Sequence, residues 1–159
     1  MKRTINLGSD QRGAVFVEYL IAYLPVMFFF LATWQLLELC AAHLIVKRAA
    51  SAAARAAIVV LPDDPAYYGG AAKDKFIGNK QDDIKLAAAL ILGASPHFSS
   101  DFDVRVTETS GSAPLTATVT AQFHCFAGWV SLVCGPSGQR ELVGKATYAY
   151  QGASYDYDI

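Results

Sequence analysis

The chain has 159 residues, 53% of them apolar and only 17% charged, with thirteen basic and fourteen acidic side chains for a net charge of −1. That balance gives no acidic tail, and no basic cluster is interleaved with aromatics as a nucleic-acid surface requires, so no nucleic-acid partner is expected. The length suits one modest domain plus an appendage, and the apolar excess sits at one end: from Ala14 to Val46 the only formally charged side chains are Glu18 and Glu38.

Residues 1–13, MKRTINLGSDQRG, are polar and carry Lys2, Arg3 and Arg12. Residues 14–61 read as one continuous helix, with no glycine, a single proline (Pro25) and a stop at Leu61-Pro62-Asp63-Asp64-Pro65. At 1.5 Å per residue such a helix is about 72 Å long, far more than one bilayer needs, so its two halves should have different surroundings. Tyr19 to Leu37 contains only Gln35 as a strongly polar residue and has the length of a transmembrane segment. Pro25 is tolerable there, but it should leave one carbonyl unpaired and loosen or kink that turn. From Glu38 to Leu61 the helix is amphipathic. Lys47, Ser51 and Arg55 form a polar stripe at spacings of four, and the alanines 49, 50, 52, 53, 54, 56 and 57 favour helix and allow a neighbour close. Part of that small-residue surface should pack on the protein's own C-terminal domain.

Residues 62–79 are a loop rich in Pro, Gly, Tyr and Asp. A second helix is predicted from about Asn79, with Asp82 and Asp83 in its first turn, to Gly93, its inner face formed by Ile84, Ala87, Ala88 and Ile91. The period then changes to two. Phe102, Val104 and Val106 alternate with polar residues, as do Leu115, Ala117, Val119, Ala121 and Phe123, and the turn signal Ser110-Gly111-Ser112 between them predicts a hairpin. A third strand is expected within ELVGKATYAYQ. The fold class is therefore α+β: a long N-terminal helix packed on a small C-terminal domain (62–159) with a short helix and an antiparallel sheet of about three strands.

Cys125 and Cys134 bracket eight residues, FAGWVSLV, while Cys40 stands alone in the apolar segment. The pair reads either as a disulfide or as two buried thiols; export implied by the membrane segment favours the disulfide. No enzyme chemistry is expected. His43 lies three residues from Cys40, but a zinc site needs three or four ligands. His124 and Cys125 are adjacent on a strand and so point to opposite faces, a poor arrangement for a nucleophile and its base. Asp63-Asp64 and Asp82-Asp83 lack the spacing of a calcium loop. No metal or other cofactor is expected. Tyr67, Tyr68, Tyr148, Tyr150, Tyr155 and Tyr157 read as a contact surface or as strand formers.

Glu18 is the awkward residue, since a carboxylate costs roughly 2.5–3.5 kcal/mol at a bilayer centre on insertion scales. An ordinary secretory signal has a shorter apolar core, although cleavage near Cys40-Ala41-Ala42 is conceivable. A lipoprotein signal is excluded by Glu38 and Leu39 before Cys40. Cleavage ahead of the apolar run fits best, at Gly13 followed by AVFVEY. That site resembles the processing site of a type IV prepilin, and Glu18-Tyr19 resembles the pair found in tight-adherence (Flp-type) pilins. RGAVFVEYLIAYLPVMFFF followed by RAASAAARAA is similar to the TadE-like family of minor pilins. The resemblance covers about residues 12–57; Tyr19 departs from the phenylalanine many such proteins carry.

The resemblance implies a prepilin-type leader (1–13), cut by an inner-membrane prepilin peptidase between Gly13 and Ala14. The mature chain would have 146 residues, ten basic and thirteen acidic, for a net charge of −3. It implies that the α-amine freed on Ala14 pairs with Glu18 of a neighbouring subunit, offsetting the desolvation of both and setting register. Glu18 and Tyr19 are thus the expected assembly residues; a solvated Glu18 at headgroup level is the other reading. Basic residues on the two sides of the span are equal in number, so a cytoplasmic N-terminus and periplasmic head rest on the resemblance and on the disulfide. The expected protein is a minor pilin, or pseudopilin, of a tight-adherence pilus or secretion apparatus. Its partners would be the inner membrane, the peptidase, other minor pilins, the major Flp-type pilin and the platform proteins. The alternative is a single-pass, membrane-anchored periplasmic binding domain that keeps residues 1–13 and never polymerises.

Overall fold

The computed structural model describes residues 12–107, 113–125, 134 and 137–150. In chain order these form helix α1 (Arg12–Val60), a 3₁₀ turn (Pro65–Tyr68), helix α2 (Asn79–Leu92) and strands β1 (Phe98–Val106), β2 (Leu115–His124) and β3 (Gln139–Tyr148). The strands make one antiparallel sheet in the order β1-β2-β3. The α+β layout expected from the alternation of periods is the one observed. Most of the expected leader (residues 1–11), the expected turn at Ser110-Gly111-Ser112, Tyr155 and Tyr157 lie outside the described residues.

Helix α1 runs unbroken for 49 residues and passes through Pro25. Proline has no N–H for the carbonyl four residues back, so the ladder loses one bond there without ending. The helix stops because Pro62 cannot donate either; the last turn is closed by Leu61 N–H to the Ala57 carbonyl at 3.0 Å. Its surroundings change sharply along its length. No side chain described between Val15 and Trp34 is buried, whereas Gln35, Ala42, Val46, Ala49, Ala50, Ala53, Ala54 and Ala57 are. Those alanines recur every three or four residues and lie against the protein's own sheet and α2. Short side chains let the helix backbone come close to both layers.

The sheet has one apolar face. Leu115, Ala117, Val119, Ala121 and Phe123 of β2 are buried, alternating with half-buried threonines and Gln122. Val104 and Val106 of β1 and Leu142 of β3 join them. The register aligns Val104, Val119 and Gly144 across the three strands. Helix α1 lies over this line so closely that a Cβ on Gly144 would sit 2.6 Å from the Val46 carbonyl oxygen and 3.0 Å from the Lys47 nitrogen. Glycine is needed here for close approach.

Helix α2 corrects one expectation. Its buried face is Lys80, Ile84, Ala88 and Leu92, a strict spacing of four, while Ala87 and Ile91 are only half-buried. Lys80 is fully buried, its ammonium donating to the carbonyls of Leu61 (2.8 Å), Asp63 (3.0 Å) and Ala72 (3.4 Å) beneath the Tyr68 ring. Burial pulls its pKa below the ordinary lysine value, with Asp63 and Asp74 opposing the shift. All three ammonium protons are used, which fastens the 61–72 loop to the start of α2.

The polar stripe on α1 meets the sheet margin. Ser51 shares a hydrogen bond of 2.7 Å with the Tyr148 hydroxyl, and the Arg55 guanidinium lies 5.8 Å from the centre of that ring. The Tyr150 hydroxyl donates to Asp74. Tyr68, Tyr148 and Tyr150 therefore serve contacts within the domain, and of the tyrosines read as a contact surface Tyr67 is the exposed one among the described residues.

Candidate functional site

The residues singled out in the sequence fall in two places on α1. Gly13, Glu18 and Tyr19 occupy its bare N-terminal part, where all three are exposed. A Cβ on Gly13 would meet nothing within 4 Å among the described residues, so that position is open. Gly13, Val17, Glu18, Ile21 and Ala22 share one face, and Tyr19 stacks on Tyr23 with ring centres 5.7 Å apart on another. Beyond them Val26, Phe28, Phe29 and Phe30 are exposed on several sides. A helix left apolar all round and uncovered by its own domain belongs in a non-aqueous medium or against other helices. The segment Val15–Val60 is long and apolar enough to cross a membrane.

The second place is the junction between that bare helix and the domain. Cys125 and Cys134 lie at disulfide distance, with Cα atoms 6.4 Å apart, as the spacing and the inferred export suggested. The Cys134 sulfur accepts a hydrogen bond from Gln35 Nε2 at 3.6 Å, so the disulfide is seated where α1 first becomes buried. One residue earlier, the Trp34 indole N–H donates to Glu38 Oε1 at 2.8 Å. Gln35 Oε1 and Glu38 Oε2 have no hydrogen-bond partner among the described residues. This polar collar of Trp34, Gln35 and Glu38 was missed in the sequence. Gln35 stood out only as the one polar residue in an apolar run; its partner lies 99 positions away.

Cys40 and His43 line a shallow depression of about 440 Å³ with Leu39, Leu44, Arg140 and Leu142. Among the described residues, no three His, Cys, Asp or Glu side chains converge as a metal site would need. His124 bonds with Gln139 at 2.9 Å, and Cys125 is committed to Cys134. The two places do not meet: Glu18 and Gln35 are seventeen residues apart along one continuous helix, about 25 Å at the ordinary helical rise.

Fold and site together define an α+β domain carried on the buried half of a helix whose other half is bare and apolar. The chain matches no family model, no curated protein and no solved structure.

Proposed function

We propose that the chain is a minor pilin-like subunit of a tight-adherence type pilus or secretion apparatus, acting by assembly and not by catalysis. The observation that carries this reading is the continuity of α1: the bare apolar half and the half embedded in the domain are one unbroken helix. An anchor joined by a flexible linker would hold a domain near a membrane. A rigid rod instead fixes the domain relative to whatever packs around its apolar end, as a subunit extracted into a filament requires.

In this reading a prepilin peptidase cuts between Gly13 and Ala14. The α-amine created on Ala14 pairs with Glu18 of an adjacent pilin-like subunit, and the domain faces the periplasm before joining a priming complex or tip. Major Flp-type pilins, other minor pilins and platform proteins are the partners, and adhesion or secretion is the use. The intact mass of the membrane-extracted protein tests the first step. A 146-residue chain starting at Ala14 supports the reading; a retained Met1 points to a static anchored domain, and a start near Ala41 to a secreted one. Gly13→Leu should abolish that processing. Glu18→Gln should be processed normally yet fail to co-purify with the assembled apparatus, and normal incorporation would remove the ion pair from the mechanism.

A further inference from the structure

Strand β3 is paired with β2 along all ten of its residues, and among the described residues its other edge pairs with nothing. Which of its backbone groups face that edge follows from the register. Cys125 N–H donates to the Gly138 carbonyl at 3.0 Å, and these two residues stand directly opposite in the β2–β3 alignment. Backbone groups alternate sides along a strand, so the even-numbered residues of β3 bond to β2. Gln139, Glu141, Val143, Lys145 and Thr147 therefore direct their N–H and C=O groups to the open edge. Their side chains are all exposed, on the sheet face away from α1, and Val143 is 40% exposed despite being apolar.

We propose that this edge pairs with β3 of a second copy, antiparallel, about a two-fold axis at Val143. Edge-facing residues must oppose edge-facing residues, which leaves five registers near the strand centre. Two of them place Glu141 against Glu141 or Lys145 against Lys145, and like charges directly opposite repel. Two more set Val143 against Glu141 or against Lys145. The fifth, centred on Val143, matches every side chain: Glu141 meets the partner's Lys145 twice by symmetry, Val143 meets the partner's Val143, and Gln139 meets the partner's Thr147. The spacing Glu141-x-Val143-x-Lys145 is self-complementary in that register alone, the requirement for an isologous interface.

The pairing also fixes what it can join. Along α1, Leu39 and His43 lie by Arg140 and Leu142, Val46 by Gly144, and Ser51 by Tyr148, so the helix runs in the same direction as β3. A two-fold axis through the sheet reverses α1 in the second copy. The two bare apolar ends leave the dimer at opposite extremities, so the contact bridges chains held in two membranes or two assemblies and cannot form between neighbours in one. This goes beyond the functional reading above and does not rest on it, because the pairing can be measured on detergent-solubilised chains.

Light scattering of the full chain in detergent should show a concentration-dependent dimer. Glu141→Lys or Lys145→Glu alone should weaken it at least about tenfold, because each change converts two cross-strand attractions into repulsions. Combining Glu141→Lys with Lys145→Glu should restore it. In a Cys40→Ser background, Val143→Cys should form a disulfide dimer under mild oxidation, since residues in such a pair are about 5.5 Å apart at Cα. Thr147→Cys should cross-link to a Gln139→Cys chain and not to itself. Vesicles carrying the wild-type protein should cluster, and those carrying Glu141→Lys should stay dispersed. A wild type that stays monomeric, a double swap that does not recover, or Thr147→Cys linking to itself as readily as Val143→Cys would overturn the pairing; dispersed wild-type vesicles would overturn the bridging geometry.

Discussion

Replacing Gly144 by alanine tests how the helix is seated on the sheet. The added methyl would stand 2.6 Å from the Val46 carbonyl oxygen, 2.8 Å from its carbon and 3.0 Å from the Lys47 nitrogen. All three are backbone atoms in mid-helix, so no rotamer change can make room. Restoring ordinary contact at 3.4 Å requires α1 and β3 to part by about 0.8 Å. A gap of that size forfeits a quarter to a half of the dispersion attraction of the atoms lining it. The line affected includes Val46, Ala49, Ala50, Val119 and Leu142, the centre of the core. Against this, alanine stabilises by about 0.5–1 kcal/mol through a stiffer unfolded chain. Overpacking typically costs about 1–3 kcal/mol, and the rigidity of both partners puts this case at the upper end, for a net loss of about 2 kcal/mol. Urea denaturation of the detergent-solubilised protein, followed by near-ultraviolet circular dichroism, measures it. A variant as stable as wild type, with unchanged cooperativity, would show that the close approach does not constrain the fold.

Lys80→Met keeps the stem and removes the ammonium from the Leu61, Asp63 and Ala72 carbonyls, of which Leu61 keeps the Asp74 N–H at 2.9 Å; a loss of about 1–3 kcal/mol is expected in the same assay, and a neutral change would mean that the lysine is not a clamp. Cys125→Ser with Cys134→Ser opens a loop of sequence separation nine and should cost about 2–3 kcal/mol, read as a lower denaturation midpoint matched by wild type in reductant. The Tyr150 phenol is held above its ordinary value of 10.0 by burial and by Asp74. Its folded pKa is thus raised above the unfolded one, so its contribution is complete below about pH 10 and declines as pH rises beyond that. Tyr150→Phe should flatten the stability profile above about pH 10, where the unfolded phenol ionises and the folded one does not, and an unchanged slope would remove Tyr150 as its source.

Elements whose signals are local were legible. Pro62 and Pro65 marked the end of α1, Gly93 the end of α2, and the alternation of LTATVTAQF the half-buried β2. Cysteine spacing and inferred export together suggested the observed Cys125–Cys134 pair. What escaped depends on partners distant in sequence. Lys80 is not singled out, because nothing near it in sequence reveals that three carbonyls of the 61–72 segment surround its ammonium. Gly144 is not singled out either, since its role shows only once the Val46 backbone is placed against it. Gln35 reads as a flaw in an apolar run until Cys134 arrives beside it. In each case the residue type answers a tertiary contact that periodicity cannot encode.

Gln35 also changes where a bilayer would lie, and with it the meaning of Glu18. A span from Tyr19 to Leu37, drawn from apolarity alone, would take Gln35 and the adjoining Cys134 into hydrocarbon along with the base of the domain. Keeping the domain in water moves that boundary back to Trp34, whose indole, bonded to Glu38, suits the headgroup level that tryptophan favours. Twenty residues at 1.5 Å each then run from Val15 to Trp34, about the 30 Å of a hydrocarbon core. Under the membrane reading this shift carries Glu18 from just outside the span to roughly one turn inside it. A carboxylate at that depth must reach back toward the headgroups or find a cation among its neighbours. The domain's seat on α1 thus bears on the pairing proposed for Glu18: the closer Gln35 holds the domain to the membrane, the less water Glu18 can keep.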